Sequence, residues 1–258
     1  MSGEKIGIKS AAVVGYGRFG ELLTDLLAEQ CPVSVVETDA AKAQAATAKG
    51  RKVVELSELG TVDFVFPCVP ISSIARTAEE IAPYCGADQV VVDVCSVKTY
   101  PLEQLEKHLP GVSIIGTHPM FGPDSAKVGL AGSRLAMCPV SASDDQVAAV
   151  RNFWERYEVE VIETTAEQHD QDAVYSQAFA YIIAKIVIGM ELPDITFRTR
   201  SYDWLAEIAR LSSRDTEQLF HDIIAYNPYV KDMVNQLTRV TDGVETRVAS
   251  ILSERVID

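Results

Sequence analysis

Gly15-Tyr16-Gly17-Arg18-Phe19-Gly20 follows a short apolar run at 11–14 and opens a helical pattern. Glycines at that spacing let a chain turn tightly out of a strand, bring its backbone against an anion and pack helix on strand. The free N–H groups at the helix N-terminus would hold the anion. The spacing alone is common, but in a strand–turn–helix context it points to a dinucleotide. Gly15, Gly17, Arg18, Phe19 and Gly20 are the cofactor-binding candidates. Glu37 lies about 20 residues on, where a carboxylate accepts from ribose hydroxyls and repels a 2′-phosphate. No arginine follows it, so NAD is expected over NADP. Arg18 has two readings: a pyrophosphate contact or an exposed loop arginine.

Two further segments end expected strands on the carboxyl edge of a sheet, where open α/β folds bind ligands. They are Asp93-Val-Cys-Ser96-Val-Lys98 and Gly116-Thr-His118-Pro-Met-Phe-Gly-Pro-Asp124. His118, directly after a strand and before a proline-glycine loop, is placed to face a nicotinamide ring. A lone histidine at a strand end is more often structural.

These two segments resemble the prephenate/arogenate dehydrogenases of tyrosine biosynthesis. The likeness continues through Glu167-Gln-His169-Asp-Gln-Asp172, Ser176-Gln177 and Ala206-Glu-Ile-Ala-Arg210, and so covers nearly the whole chain. Its length leaves no room for the chorismate mutase or ACT domains fused to some relatives, so a bare dehydrogenase core is expected. The resemblance implies NAD-dependent oxidative decarboxylation of prephenate to 4-hydroxyphenylpyruvate. Arogenate, giving tyrosine, and 4-amino-4-deoxyprephenate are the alternative substrates. A non-catalytic NAD-binding protein is disfavoured by the joint presence of Ser96, Lys98, His118 and Arg210.

Such a reaction needs a base near neutral pKa, donors for anionic groups and exclusion of water. His118 fits the base. Ser96 either orients the imidazole and bonds the C4 hydroxyl or caps the following helix. Lys98 either offsets the substrate's charge or is solvated. Arg210 corresponds to the family's carboxylate-binding arginine; on the bare sequence it is a helix-surface residue. Gln177 is expected to line the pocket. His169 is read as a structural residue at the domain boundary, His108 and His221 as surface residues. Ala178-Phe-Ala-Tyr181 stands where many relatives carry a histidine or arginine, and Tyr202-Asp203-Trp204 where some carry a second arginine. Fewer cations suit the ammonium of arogenate, with Asp203 and Asp215 either contacting it or simply exposed.

These groups need a scaffold to position them. Strands are predicted at 11–14, 33–37, 62–66, 89–94, 113–116, 134–140 and 159–162, with helices near 19–30, 39–49, 71–82, 99–108 and 144–157. The run Val90-Val-Val-Asp-Val is continuous and β-branched, as in a strand covered on both faces. The alternation predicts a Rossmann-type, doubly wound parallel sheet over residues 1–164. Residues 165–258 carry no strand pattern and are expected to form an all-α substrate and dimerisation domain, with helices near 166–191, 200–212, 215–226 and 229–255. Ser143-Asp-Asp-Gln146 and Thr165-Ala-Glu-Gln168 read as capping boxes, and Pro228 as a first-turn proline. The stretch 174–190 is apolar around most of its circumference. Such a helix is expected to be buried on all sides, and a second copy of the chain is the natural cover. Family members are homodimers joined through this half.

Composition agrees: 47% hydrophobic and 23% charged residues exclude a disordered chain. A net charge of −14 argues against nucleic acid or an anionic membrane surface as partner. The N-terminus lacks the apolar stretch of a signal peptide, and 178–190 is broken by Lys185 and short of the ~20 residues of a span. Five cysteines form no CxxC pair and read as buried thiols in a reducing cytoplasm; no metal site is expected.

Overall fold

Val13, Val65, Val91 and Ile115 have no exposed surface, and each lies on one of four neighbouring strands. The strands are β1 (Ala11–Val14), β2 (Val33–Val36), β3 (Lys52–Val53), β4 (Phe64–Pro67), β5 (Val90–Asp93), β6 (Ser113–Pro119), β7 (Arg134–Pro139) and β8 (Glu160–Glu163). They form one sheet in the order β3-β2-β1-β4-β5-β6-β7-β8. The structure is a computed structural model and describes residues 6–213 and 215–254. The start of the N-terminal segment read for a leader (1–5), and position 255 of the last expected helix, lie outside these residues.

Helices α1 (Arg18–Ala28), α2 (Ala40–Ala48), α3 (Ile74–Ile81), α4 (Thr99–His108), α5 (Pro123–Ala126) and α6 (Asp144–Glu155) connect the strands. The sheet departs from the parallel expectation at one place, where β7 runs antiparallel to β6. The connection between them holds only the four-residue α5, too little helix for a parallel crossover. Pairing with β7 also lengthens β6: His118 stands opposite Ala136 and Pro119 opposite Leu135. The histidine is thus inside a strand, where the sequence reading put it just beyond one. The two-residue β3 was missed because an element so short has no periodicity.

Trp154 fills the main core, with Phe153 edge-on at 4.8 Å and Phe121 at 5.7 Å. Phe121 thereby anchors the segment that follows His118. The Ser143 capping box forms in both directions, Ser143 Oγ to Gln146 N and Gln146 Oε1 to Ser143 N. Thr165 Oγ1 likewise accepts from Gln168 N at the start of α7 (Ala166–Ala173).

The chain divides into two compact units, Met1–His169 and Asp170–Asp258, a boundary five residues later than the expected one. The reason is that His169 packs with the first unit. The second unit contains a π-helical turn, Val174–Phe179, then α8 (Ala180–Gly189), α9 (Arg200–Ser212), α10 (Glu217–Tyr226) and α11 (Val230–Glu254). Pro228 precedes α11 rather than occupying its first turn, and Asn227 Oδ1 accepts from Tyr229 N. Within one chain the stretch 174–190 leaves Tyr175, Ile186, Ile188 and Met190 exposed, the surface for which a second copy was expected as cover. The continuous helical run Ala166–Gly189 is long and apolar enough to cross a membrane by length and composition. Its first turns, however, carry Glu167, His169, Asp170 and Asp172, of which His169 and Asp170 are buried in protein.

Candidate active site

β1, β4, β5 and β6 are mutually parallel, so their carboxyl ends share one edge. The strand order reverses between β1 and β4, which opens a crevice outside those ends. Gly15 leaves β1 with φ +99°, and a Cβ there would lie 2.6 Å from the Cys68 carbonyl oxygen. A Cβ on Gly20 would fall 2.1 Å from the Gly15 oxygen, so the third glycine lets helix meet strand. Gly17 differs, because a Cβ there meets nothing within 4 Å. Its missing side chain serves no contact inside the described protein and leaves room for a ligand. α1 starts without a side-chain cap, which keeps its first N–H groups for an anion.

Glu37 lies just past β2. Its carboxylate accepts from Tyr16 N at 2.7 Å and from Asp39 N at 2.8 Å, tying the glycine turn to the second strand. Each oxygen has capacity for a further donor, so ribose hydroxyls fit the same group. Arg18 is half-exposed and forms an ion pair with Asp124 of α5, where the sequence offered pyrophosphate or open loop. Lys127 and Arg18 together hold the Asp124 carboxyl down at about 2. Phe19 packs against the main core, which leaves its backbone for the cofactor.

At the end of β5 the structure corrects the reading of Lys98. It is fully buried, ion-paired with the equally buried Asp93, and donates to the Thr117 carbonyl. Its charge is therefore neither solvated nor open to substrate. Asp93 also accepts from Cys95 N at 3.1 Å, and Thr117 Oγ1 donates to the Asp93 carbonyl at 2.7 Å. This network fastens the 94–98 turn to β6 one residue before His118. Asp93 was missed, yet a carboxylate ending an apolar β-branched run is a signal that a buried partner must exist. Ser96 sits half-buried in that turn. Its hydroxyl makes no hydrogen bond among the described residues, and α4 has Lys98 at its N-cap with no side-chain cap bond, so the capping role falls away.

His118 is 6% exposed. Its Nδ1 is 2.8 Å from His169 Nε2, with the rings edge-to-face. Burial first, then His169 and the Lys98 charge, hold its pKa well below the ordinary histidine value. The imidazole is neutral at neutral pH, and among the described residues its Nε2 has no hydrogen-bond partner. One edge of the first unit thus gathers the glycine turn, Glu37, the Ser96 turn and His118.

Gln177 and Arg210 are carried by the second unit. Gln177 lies in the π-turn, a distortion frequent at functional sites, and its buried Oε1 has no partner among the described residues. Arg210 is exposed on α9 and gripped by Glu207 one turn earlier. Asp215 accepts from the Tyr181 hydroxyl, Asp203 is exposed in the first turn of α9, and His221 is exposed beside Asp222. His108, expected at the surface, is half-buried 3.7 Å from Glu79. All five cysteines are free thiols, and burial lifts Cys31 and Cys85 to about 11.

The family model described as the nucleotide-binding domain of prephenate dehydrogenase matches residues 25–163. Arogenate dehydrogenase 2, chloroplastic, of Arabidopsis thaliana is 24% identical over 256 residues, 95% of this chain and 71% of that protein. The T-protein of Haemophilus influenzae is 30% identical over 240 residues, 84% of this chain; the chain spans 55% of its length. In fold, the chain is similar to prephenate dehydrogenase from A. aeolicus, solved in complex with hydroxyphenyl propionate and NAD+. The TM-score is 0.76 at 16% identity, covering 98% of this chain and 95% of that one.

Proposed function

Since the chain belongs to the family of NAD-dependent prephenate and arogenate dehydrogenases, we propose that it oxidatively decarboxylates prephenate to 4-hydroxyphenylpyruvate in tyrosine biosynthesis. The observation that carries this reading is His118, a buried neutral imidazole at the carboxyl end of β6, with Nε2 unengaged among the described residues. Residues 15–20 and Glu37 would hold NAD, which when bound supplies the hydride acceptor for C4 of the substrate. His118 takes the C4 hydroxyl proton as hydride leaves that carbon. The C1 carboxylate then departs as carbon dioxide, its bonding electrons complete the aromatic ring, and the proton returns to the phenol oxygen. Ser96 offers a hydroxyl to the same C4 oxygen. Arg210, held by Glu207 in the free chain, is proposed to bind a substrate carboxylate, and Gln177 is proposed as a substrate-binding amide. Lys98 acts indirectly, by fixing the turn that carries Ser96.

Arogenate has a specific observation in its favour: Ala178 and Ala180 give no cation beside Gln177, whereas Asp215 adds a carboxylate to this unit. The amino analogue of prephenate is the third possibility in the same class. NADH formation measured in parallel with the three substrates tests the reading. Prephenate turnover well above the others is expected; arogenate turnover alone replaces the substrate, and none at all refutes the activity.

The protein is proposed to work as a homodimer joined through its helical unit. On α11, Val240, Val244, Val248, Ile251 and Leu252 are all exposed and recur at helical spacing. A reducing cytoplasm suits its five free thiols.

A further inference from the structure

We propose that His169 is the positioning residue that fixes the tautomer of His118, holding the proton on Nδ1 so that Nε2 presents a lone pair. The inference rests on His118 as the base and adds what makes it one. A neutral imidazole carries a single proton, on one nitrogen or the other. His118 Nδ1 and His169 Nε2 face each other at 2.8 Å, so one proton must lie between them; two lone pairs would repel. If His118 owns that proton, its Nε2 is bare and basic. If His169 owns it, His118 carries its proton on Nε2 and only donates.

Both rings are buried, His118 at 6% and His169 at 3% exposed. Water is therefore largely excluded as a competing partner for this hydrogen bond. The backbone N–H of His169 donates to the Thr165 carbonyl, and Thr165 caps the start of α7, so the ring is carried on a fixed first turn. On the other side, β7 and the Asp93–Lys98–Thr117 network hold His118. Two rigid elements thus set the pair, and the contact does not depend on a mobile loop.

Nitrogen-15 NMR of histidine-labelled protein reads the tautomer directly. The chain has four histidines, and His118→Asn identifies the signal. In wild type, His118 should be protonated on Nδ1 and bare on Nε2. His169→Phe, which removes the acceptor, should mix the two tautomers. It should also lower kcat about tenfold or more, with NAD affinity unchanged. His169→Gln, which returns an acceptor near the Nε2 position, should restore both. A wild-type His118 with its proton on Nε2 would overturn the proposal, as would His169→Phe with the wild-type tautomer and kcat. Should His169→Phe not fold, the wild-type spectrum and His169→Gln still decide. Near wild-type turnover in His118→Asn would defeat the base reading alone, because the tautomer is read without substrate.

Discussion

At the scale of single residues the proposed site rests on one neutral imidazole and one ion pair kept out of water. His118→Asn should keep shape and a hydrogen bond but lose the base, lowering kcat about 10²–10⁴-fold. Because the folded protein holds the His118 pKa below its ordinary value, the wild-type rate should hold as pH falls to about 6.5 and decline only below that. Stability follows the same sign. The unfolded chain takes up the proton first, so the contribution is full above about 6.5 and is lost as pH drops toward the folded value. Urea melts on both sides of that pH should show the loss in wild type and a smaller one in His118→Asn. Lys98→Met leaves Asp93 buried and unpaired, at a cost of about 3–5 kcal/mol. Asp93→Asn in the Lys98→Met background should recover part of that, measured by the same melts; an unchanged midpoint in Lys98→Met would mean the pair is not buried in solution.

At the scale of elements, the glycine turn separates folding from binding. Gly20→Ala drives a Cβ into the Gly15 carbonyl and should destabilise by about 1–3 kcal/mol or more. Gly17→Ala meets no protein atom, so its melting temperature should match wild type while NAD affinity falls about tenfold or more. Calorimetric titration and thermal melts check the split. This turn was legible in the sequence because its chemistry is local: three glycines, a preceding strand and Glu37. So were the alternation of strands and helices and the Ser143 box. What stayed hidden depends on partners far along the chain. Lys98 reads as either a substrate contact or a solvated lysine until Asp93 and Thr117 close over it. His118 looks terminal until β7 extends its strand, and His169 looks structural until its ring meets His118. The π-turn leaves no trace in the hydrophobic period, which runs through Val174–Phe179 as through any helix.

At the scale of the molecule, the exposed apolar stripe of α11 calls for a cover. Val244→Glu with Val248→Glu should convert a dimer to a monomer in analytical ultracentrifugation; a wild type that sediments as a monomer at low micromolar concentration would refute the assembly. The Asp93–Lys98 pair also matters here, because it removes a cation from the account at the catalytic edge. A substrate with two carboxylates approaches a chain whose formal charge is −14, and at long range the two repel. Most charge-steered encounters slow as salt is added. This one should quicken as ionic strength rises from about 0.01 M to 0.1 M and the screening length shrinks from about 30 Å to about 10 Å. Stopped-flow capture would follow it, and the steepness counts charge on the incoming molecule. The dianion prephenate should respond more steeply than arogenate, whose ammonium cancels one of its two negative charges.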